Sequence, residues 1–228
     1  QEKFASAGRI PGGFFRREGK ISDHEILISR LVDRALRPLF PDFYYAETQV
    51  LISMISSDTE VMPDSLAALA ASAALTVSDI PFDGPISEVR IAKIDGNYVI
   101  NPKKSEMANA TMDLIVAASV KDIMMVEGEG KEYSEAEMLE ALKIAHEAIK
   151  IQCKAQLDLA DMSGKKGNRE IPKTLENEDL KKKIQKECEE KIYKIAKSAS
   201  AKNERSEAFA KVKEEFVTAI KATKEFGN

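Results

Sequence analysis

The sequence is poor in the side chains from which most compact sites are built. Its 228 residues include two histidines, His24 and His146, and two cysteines, Cys153 and Cys188. Neither cysteine has the spacing of a CxxC redox pair or a metal knuckle, which excludes a zinc ribbon and a disulfide framework and fits a reducing compartment. No apolar run approaches the roughly 20 residues of a membrane span, and no charged-then-apolar leader opens the sequence. The expectation is a soluble, cytoplasmic protein with no membrane partner. Phosphate-cradling Walker loops, dinucleotide fingerprints and serine elbows are also missing. Cys153 falls on an apolar helical stripe, so it reads as an inert core thiol rather than as half of a Cys-His nucleophile pair. His146, beside Ala145 in mid-helix, and His24, in a first helical turn, read as packing or surface residues.

With 43% apolar residues the chain can bury a proper core. Its charge is unevenly placed: residues 1–164 hold 17 basic and 26 acidic groups, residues 165–228 hold 17 and 12. Such a shift suggests a domain boundary. The opening at Gln1, directly into loop-like sequence, suggests a piece of a longer protein. Ser22 and Glu25 form a capping box ahead of "SDHEILISRLVDRALRPLFP", a helix ended by Pro38 and Pro41. Its apolar stripe is Leu27, Leu31, Ala35 and Leu39, widened by Ile28, Val32 and Leu36. "TQVLISMISSD" reads as a strand covered on both faces. "PDSLAALAASAALTVSD", with six alanines between positions 67 and 74, reads as a helix able to approach a sheet closely.

Asp95-Gly96 predicts a hairpin inside "EVRIAKIDGNYVINP", and "MDLIVAAS" with "DIMMVEG" predicts a second antiparallel pair. A second capping box, Ser134 and Glu137, starts a long helix with a stripe through Met138, Leu142, Ala145, Ile149, Cys153 and Leu157. The predicted class is α+β for residues 1–163, then a linker over 164–173. An all-helical segment follows over 174–228, with Leu180, Ile184, Cys188, Ile192 and Ile195 facing Phe209, Val212, Phe216 and Ile220 in an αα-hairpin.

Two groups of residues point to chemistry. Arg30, Arg34 and Arg37 share a helical sector of about 60°. They form either a solvated stripe paired with acids such as Asp33 and Glu25, or an anion site, for which guanidinium is the usual choice. In "GRIPGGFFRREGK", Phe14 and Phe15 stand beside Arg16 and Arg17 in a glycine-framed loop. Aromatic faces stack on unpaired bases and arginine neutralises phosphate, so the loop suits single-stranded nucleic acid. The alternative is that both rings pack into the domain or a neighbouring subunit.

The blocks "EKFASAGRIPGGFFRREGK", "RLVDRALRPLFP", "VMPDSLAALAASAAL", "SDIPFDGPISEVRI" and "DLIVAA...DIMMVEGE" together resemble the first RNase PH-type core of the polynucleotide phosphorylase family, densely over residues 1–160. "ALKIAHEAIKIQ" agrees. The remaining residues resemble only in type the family's helical linker. The resemblance implies an RNase PH-like core lacking its amino-terminal strands. It also implies a homotrimeric ring that degrades RNA from the 3′ end with inorganic phosphate, releases nucleoside diphosphates and runs in reverse to add nucleotides. Degradosome-type partners are a further expectation.

By the same resemblance, Phe14, Phe15, Arg16 and Arg17 contact single-stranded RNA at the channel, while Arg30, Arg34 and Arg37 line a vestigial anion pocket. Phosphorolysis with Mg²⁺ belongs to the second core, so no catalytic or metal residue and no cofactor is expected in this stretch. "NPKKSEMANATMD" offers Asn101, Lys103, Lys104, Glu106 and Asp113, a weak basis for a two-carboxylate metal site. A non-catalytic assembly module without RNA contact is the alternative, and a nuclease acting alone like RNase PH ranks last.

Overall fold

The computed structural model describes residues 1–8, 10, 20–171 and 177–223. Residues 14–17 lie outside them. The chain forms two compact units, Gln1–Ile171 and Pro172–Asn228.

In the first unit, α1 (Asp23–Leu36) begins at the predicted capping box: Glu25 N donates to Ser22 Oγ and Ser22 N donates to a Glu25 carboxylate oxygen. Two orphan amides at the helix start are thereby satisfied. A 3-10 turn, Arg37–Leu39, carries Pro38 and ends the helical run. α2 (Asp64–Val77) follows Pro63. Four strands then form one antiparallel sheet: β1 (Ile86–Ile94), β2 (Asn97–Ile100), β3 (Ala110–Ser119) and β4 (Ile123–Gly130), in the order β2-β1-β3-β4. Asp95 and Gly96, both at positive φ, make the predicted two-residue turn between β1 and β2. The long α3 (Glu135–Met162) opens at the Ser134–Glu137 capping box.

Side chains alternate across the sheet, so β1 and β3 are covered on both faces. Ile86, Ile115, Ala117 and Met125 pack against α1 and α2. On the opposite face Val89, Ile91, Leu114 and Val116 pack against Ala141, Ala145, Ile149 and Cys153 of α3. The result is a three-layer α+β unit with the sheet in the middle.

Three expectations are corrected. Residues 50–55 join no ladder: Val50, Leu51 and Ile55 are exposed, the last at 91%, and only Ile52 and Met54 turn inward. Among the described residues no strand lies alongside to satisfy the ladder; the segment is held by Gln1 and Ser6 through the Gln1 amino group to Ile52 O, Met54 N to Gln1 O and Ser57 N to Ser6 O. On α1, Leu27 is exposed. On α3 the buried line runs Ala141, Ala145, Ile149, Cys153, Gln156 and Ala160, leaving Leu157 exposed. Steps of four residues drift 40° each on a 3.6-residue helix, so the buried line must correct by a step of three, from Cys153 to Gln156.

Residues 164–171, which composition marks as linker, run with the first unit. Arg169 N donates to Asp79 O at 2.7 Å and the two side chains form an ion pair. In the second unit, α4 (Glu178–Lys197) and α5 (Lys202–Thr223) pack on each other. Cys188 is buried there; Ile184 and Ile192, predicted for the same stripe, remain more than a third exposed.

Candidate nucleic-acid interface and anion pocket

The RNA-contact residues predicted from sequence, Phe14, Phe15, Arg16 and Arg17, lie outside the described residues. The arginine stripe is described, and the structure divides it. Arg30 and Arg34 line a hollow of about 300 Å³ with Asp23, Ile26, Leu27 and Glu127. Arg37 lies elsewhere, on a broader hollow of about 1360 Å³ that includes Ile28, Val32, Leu36, Ile52 and Met54. Within the first hollow, Arg34 is ion-paired to Glu127 of β4; on the second, Arg37 is paired to Asp33 one turn earlier at 2.5 Å. Arg30 has no ion pair among the described residues.

The expected partner Glu25 serves instead as an acceptor for the amides of Ser22 and Glu2, and those backbone donors hold its carboxyl below the ordinary range. The hollow therefore carries two guanidinium groups opposed by two carboxylates, Asp23 and Glu127. An anion would have to displace Glu127 from Arg34 to gain both guanidiniums.

The remaining candidates resolve into structural roles. His146 Nε2 donates to the Ser119 carbonyl at 3.0 Å. His24 is exposed, 3.7 Å from a Glu2 oxygen. The Cys153 thiol is fully buried near the carbonyls of Pro85 and Ala118, and burial pushes its pKa up to about 11. It is chemically inert at neutral pH.

The two carboxylates of residues 101–113 already accept hydrogen bonds. Glu106 accepts from Lys103 N, and both oxygens of Asp113 accept from Arg90 Nη1 at 2.7 and 2.6 Å. Among the described residues, no three His, Cys, Asp or Glu side chains converge as metal ligands.

What the sequence reading missed is the group around Arg90. Its guanidinium bridges Asp64 at the start of α2, with Nε at 3.0 Å and Nη2 at 2.5 Å, to Asp113 of β3. Burial opposes the charge, yet the two carboxylates together hold the guanidinium pKa above its ordinary value. The available signal was "ISEVRI": Glu88 and Arg90 recur at period two in a strand covered on both faces, where a charge must find a partner.

Comparison with known proteins places this unit. A model described as 3′ exoribonuclease family, domain 1 matches residues 1–81, and a model described as 3′ exoribonuclease family, domain 2 matches residues 84–148. The two lie back to back over more than half of the chain. The chain belongs to the 3′ exoribonuclease family. Its α+β unit is thus an RNase PH-type core, as the sequence blocks implied. The chain is 58% identical over 216 residues to a polyribonucleotide nucleotidyltransferase of Parabacteroides distasonis, covering 95% of this chain and 29% of that protein. It is 57% identical to the protein of the same name from Porphyromonas gingivalis with the same coverage. It is 58% identical over 217 residues to that from Bacteroides fragilis, covering 95% of this chain and 31% of that protein. The chain thus spans about three tenths of the length of these relatives. No helix among the described residues is long and apolar enough to cross a membrane.

Proposed function

We propose that this chain is the RNA-guiding and ring-forming part of a 3′-to-5′ phosphorolytic exoribonuclease of the polyribonucleotide nucleotidyltransferase type. The observation that carries the reading is the 57–58% identity to proteins of that name over 95% of the chain, coincident with the two family models. Phe14 and Phe15 stack on unpaired bases while Arg16 and Arg17 neutralise phosphates. Cleavage, with its Mg²⁺ and inorganic phosphate, takes place outside this stretch, in a cytoplasmic homotrimer open to degradosome-type partners. The residues around Asp113 support that division of labour, because Asp113 is held by the Arg90 guanidinium and Glu106 accepts from the Lys103 backbone amide.

The test is binding of a fluorescent oligo(A). Arg16→Ala with Arg17→Ala should weaken it at least tenfold, and unchanged binding would remove the loop from the mechanism. A second measurement concerns catalysis: this chain alone should release no nucleoside diphosphates from RNA and phosphate, and clear turnover would overturn the assignment.

Arg30 and Arg34 are proposed as an anion pocket gated by Glu127. Arg30, which has no ion pair among the described residues, stands beside an Arg34 paired to Glu127, and that supports this reading.

A second reading, an assembly module without RNA contact, is favoured by apolar side chains left open on the first unit. Leu51, Ile55, Ile151 and Met162 are all more than 70% exposed. Under that reading the arginine pair is indifferent to RNA binding, and Phe14 and Phe15 serve subunit contacts.

A further inference from the structure

β1 presents Ile86, Glu88 and Arg90 in succession to α2, and the outer two are tied to that helix. Ile86 N donates to Ser72 Oγ at 3.0 Å, and Arg90 grips Asp64. Glu88, between these anchors, is 0% exposed, and neither carboxyl oxygen has a hydrogen-bond partner among the described residues. The helix above it presents small buried side chains, Ser65, Ala68, Ala71 and Ser72, which bring its backbone close to the sheet and leave little room for water. Opposite Glu88 on β3 is Ala117, which offers no side-chain donor.

We propose that Glu88 is a proton-linked latch: neutral, it lets α2 seat on the sheet, and ionised, it loosens the contact between α2 and β1. The charges that bear on it are Asp64 from α2 and Arg90 from its own strand, with Asp113 of β3 reaching Arg90 from the other side. Arg90 already serves two carboxylates, so a third negative charge in the same dry layer is not compensated. Burial first, and Asp64 second, push the Glu88 pKa up to about 8, against about 4.5 ordinarily.

The raised value means that the folded state holds this proton where the unfolded chain releases it. The stability associated with the neutral form is fully present below about pH 4.5 and is lost as pH rises to about 8. In that window the unfolding constant gains up to about tenfold per pH unit.

Infrared spectroscopy of the intact chain at neutral pH tests the protonation directly. A protonated-carboxyl carbonyl band should be present, fall to about half near pH 8 and disappear above it, and be missing in Glu88→Gln. Urea midpoints then test the latch: the wild type should lose midpoint relative to Glu88→Gln between about pH 5 and about pH 8. Amide exchange corrected for intrinsic rates should place the alkaline loosening in α2. The wild-type band is readable even if the variant folds poorly. Absence of that band at pH 6 to 7, or parallel midpoints for the two proteins across the range, would overturn the proposal.

Discussion

Arg90 is the residue on which the α2 side of the sheet depends. Its side chain is 16% exposed and its partner Asp64 4%, so removing the cation strands a carboxylate away from water. Loss of one partner of such a pair costs about 3–5 kcal/mol, whereas loss of both is far milder. Arg90→Met should therefore lower stability by about that amount in urea unfolding, and adding Asp64→Asn should restore a good part of it. The same reasoning applies with opposite sign on the surface. Arg34 and Glu127 are about half exposed, so their pairing adds little stability. Glu127→Gln should leave the urea midpoint nearly unchanged and raise the affinity for phosphate or citrate severalfold, read by calorimetry. An unchanged or weaker affinity would argue against an anion pocket at Arg30 and Arg34. Neither network could be read in full from sequence. Helical spacing placed Arg30, Arg34 and Arg37 in one sector, but the partners Glu127 and Asp113 lie 93 and 23 residues away from the arginines they bind.

At the scale of elements, local signals were read well and coverage less well. Both capping boxes, the Asp95-Gly96 turn and the alanine-rich helix are short-range chemistry, and each appears where the sequence puts it. Residues 50–55 show the opposite case: a β-branched apolar run specifies an extended backbone, but whether it becomes a ladder depends on a neighbouring strand. The close approach of β3 and β4 is another feature set by neighbours. A Cβ on Gly128 would overlap the carbonyl oxygen of Asp113 and the Cα of Leu114, both backbone atoms that cannot turn aside. Gly128→Ala should cost about 1–3 kcal/mol by overpacking. Because the displaced backbone belongs to Asp113, the variant should also weaken the Arg90 bridge, so combining it with Arg90→Met should be less than additive.

On the scale of the whole molecule, the RNA reading predicts an ionic signature. Each phosphate contact on single-stranded nucleic acid contributes about 0.7 to the slope of log affinity against log salt. Loss of Arg16 and Arg17 should flatten that slope by about 1.4, read by repeating the oligo(A) titration at several salt concentrations. An equal weakening at every salt concentration would point to lost packing instead. The sequence alone determined the family, the α+β class, the helix starts, the hairpin turn and the inert character of Cys153. All of these rest on contacts a few residues apart or on blocks of identity. Only the tertiary structure decided which arginines share a hollow, that Glu25 caps rather than pairs, and that, among the described residues, 50–55 stay unladdered and Glu88 is sealed without a partner. Those depend on which distant side chains the three layers bring together, and a carboxyl's proton affinity is set by the water and charge that remain around it after the layers close.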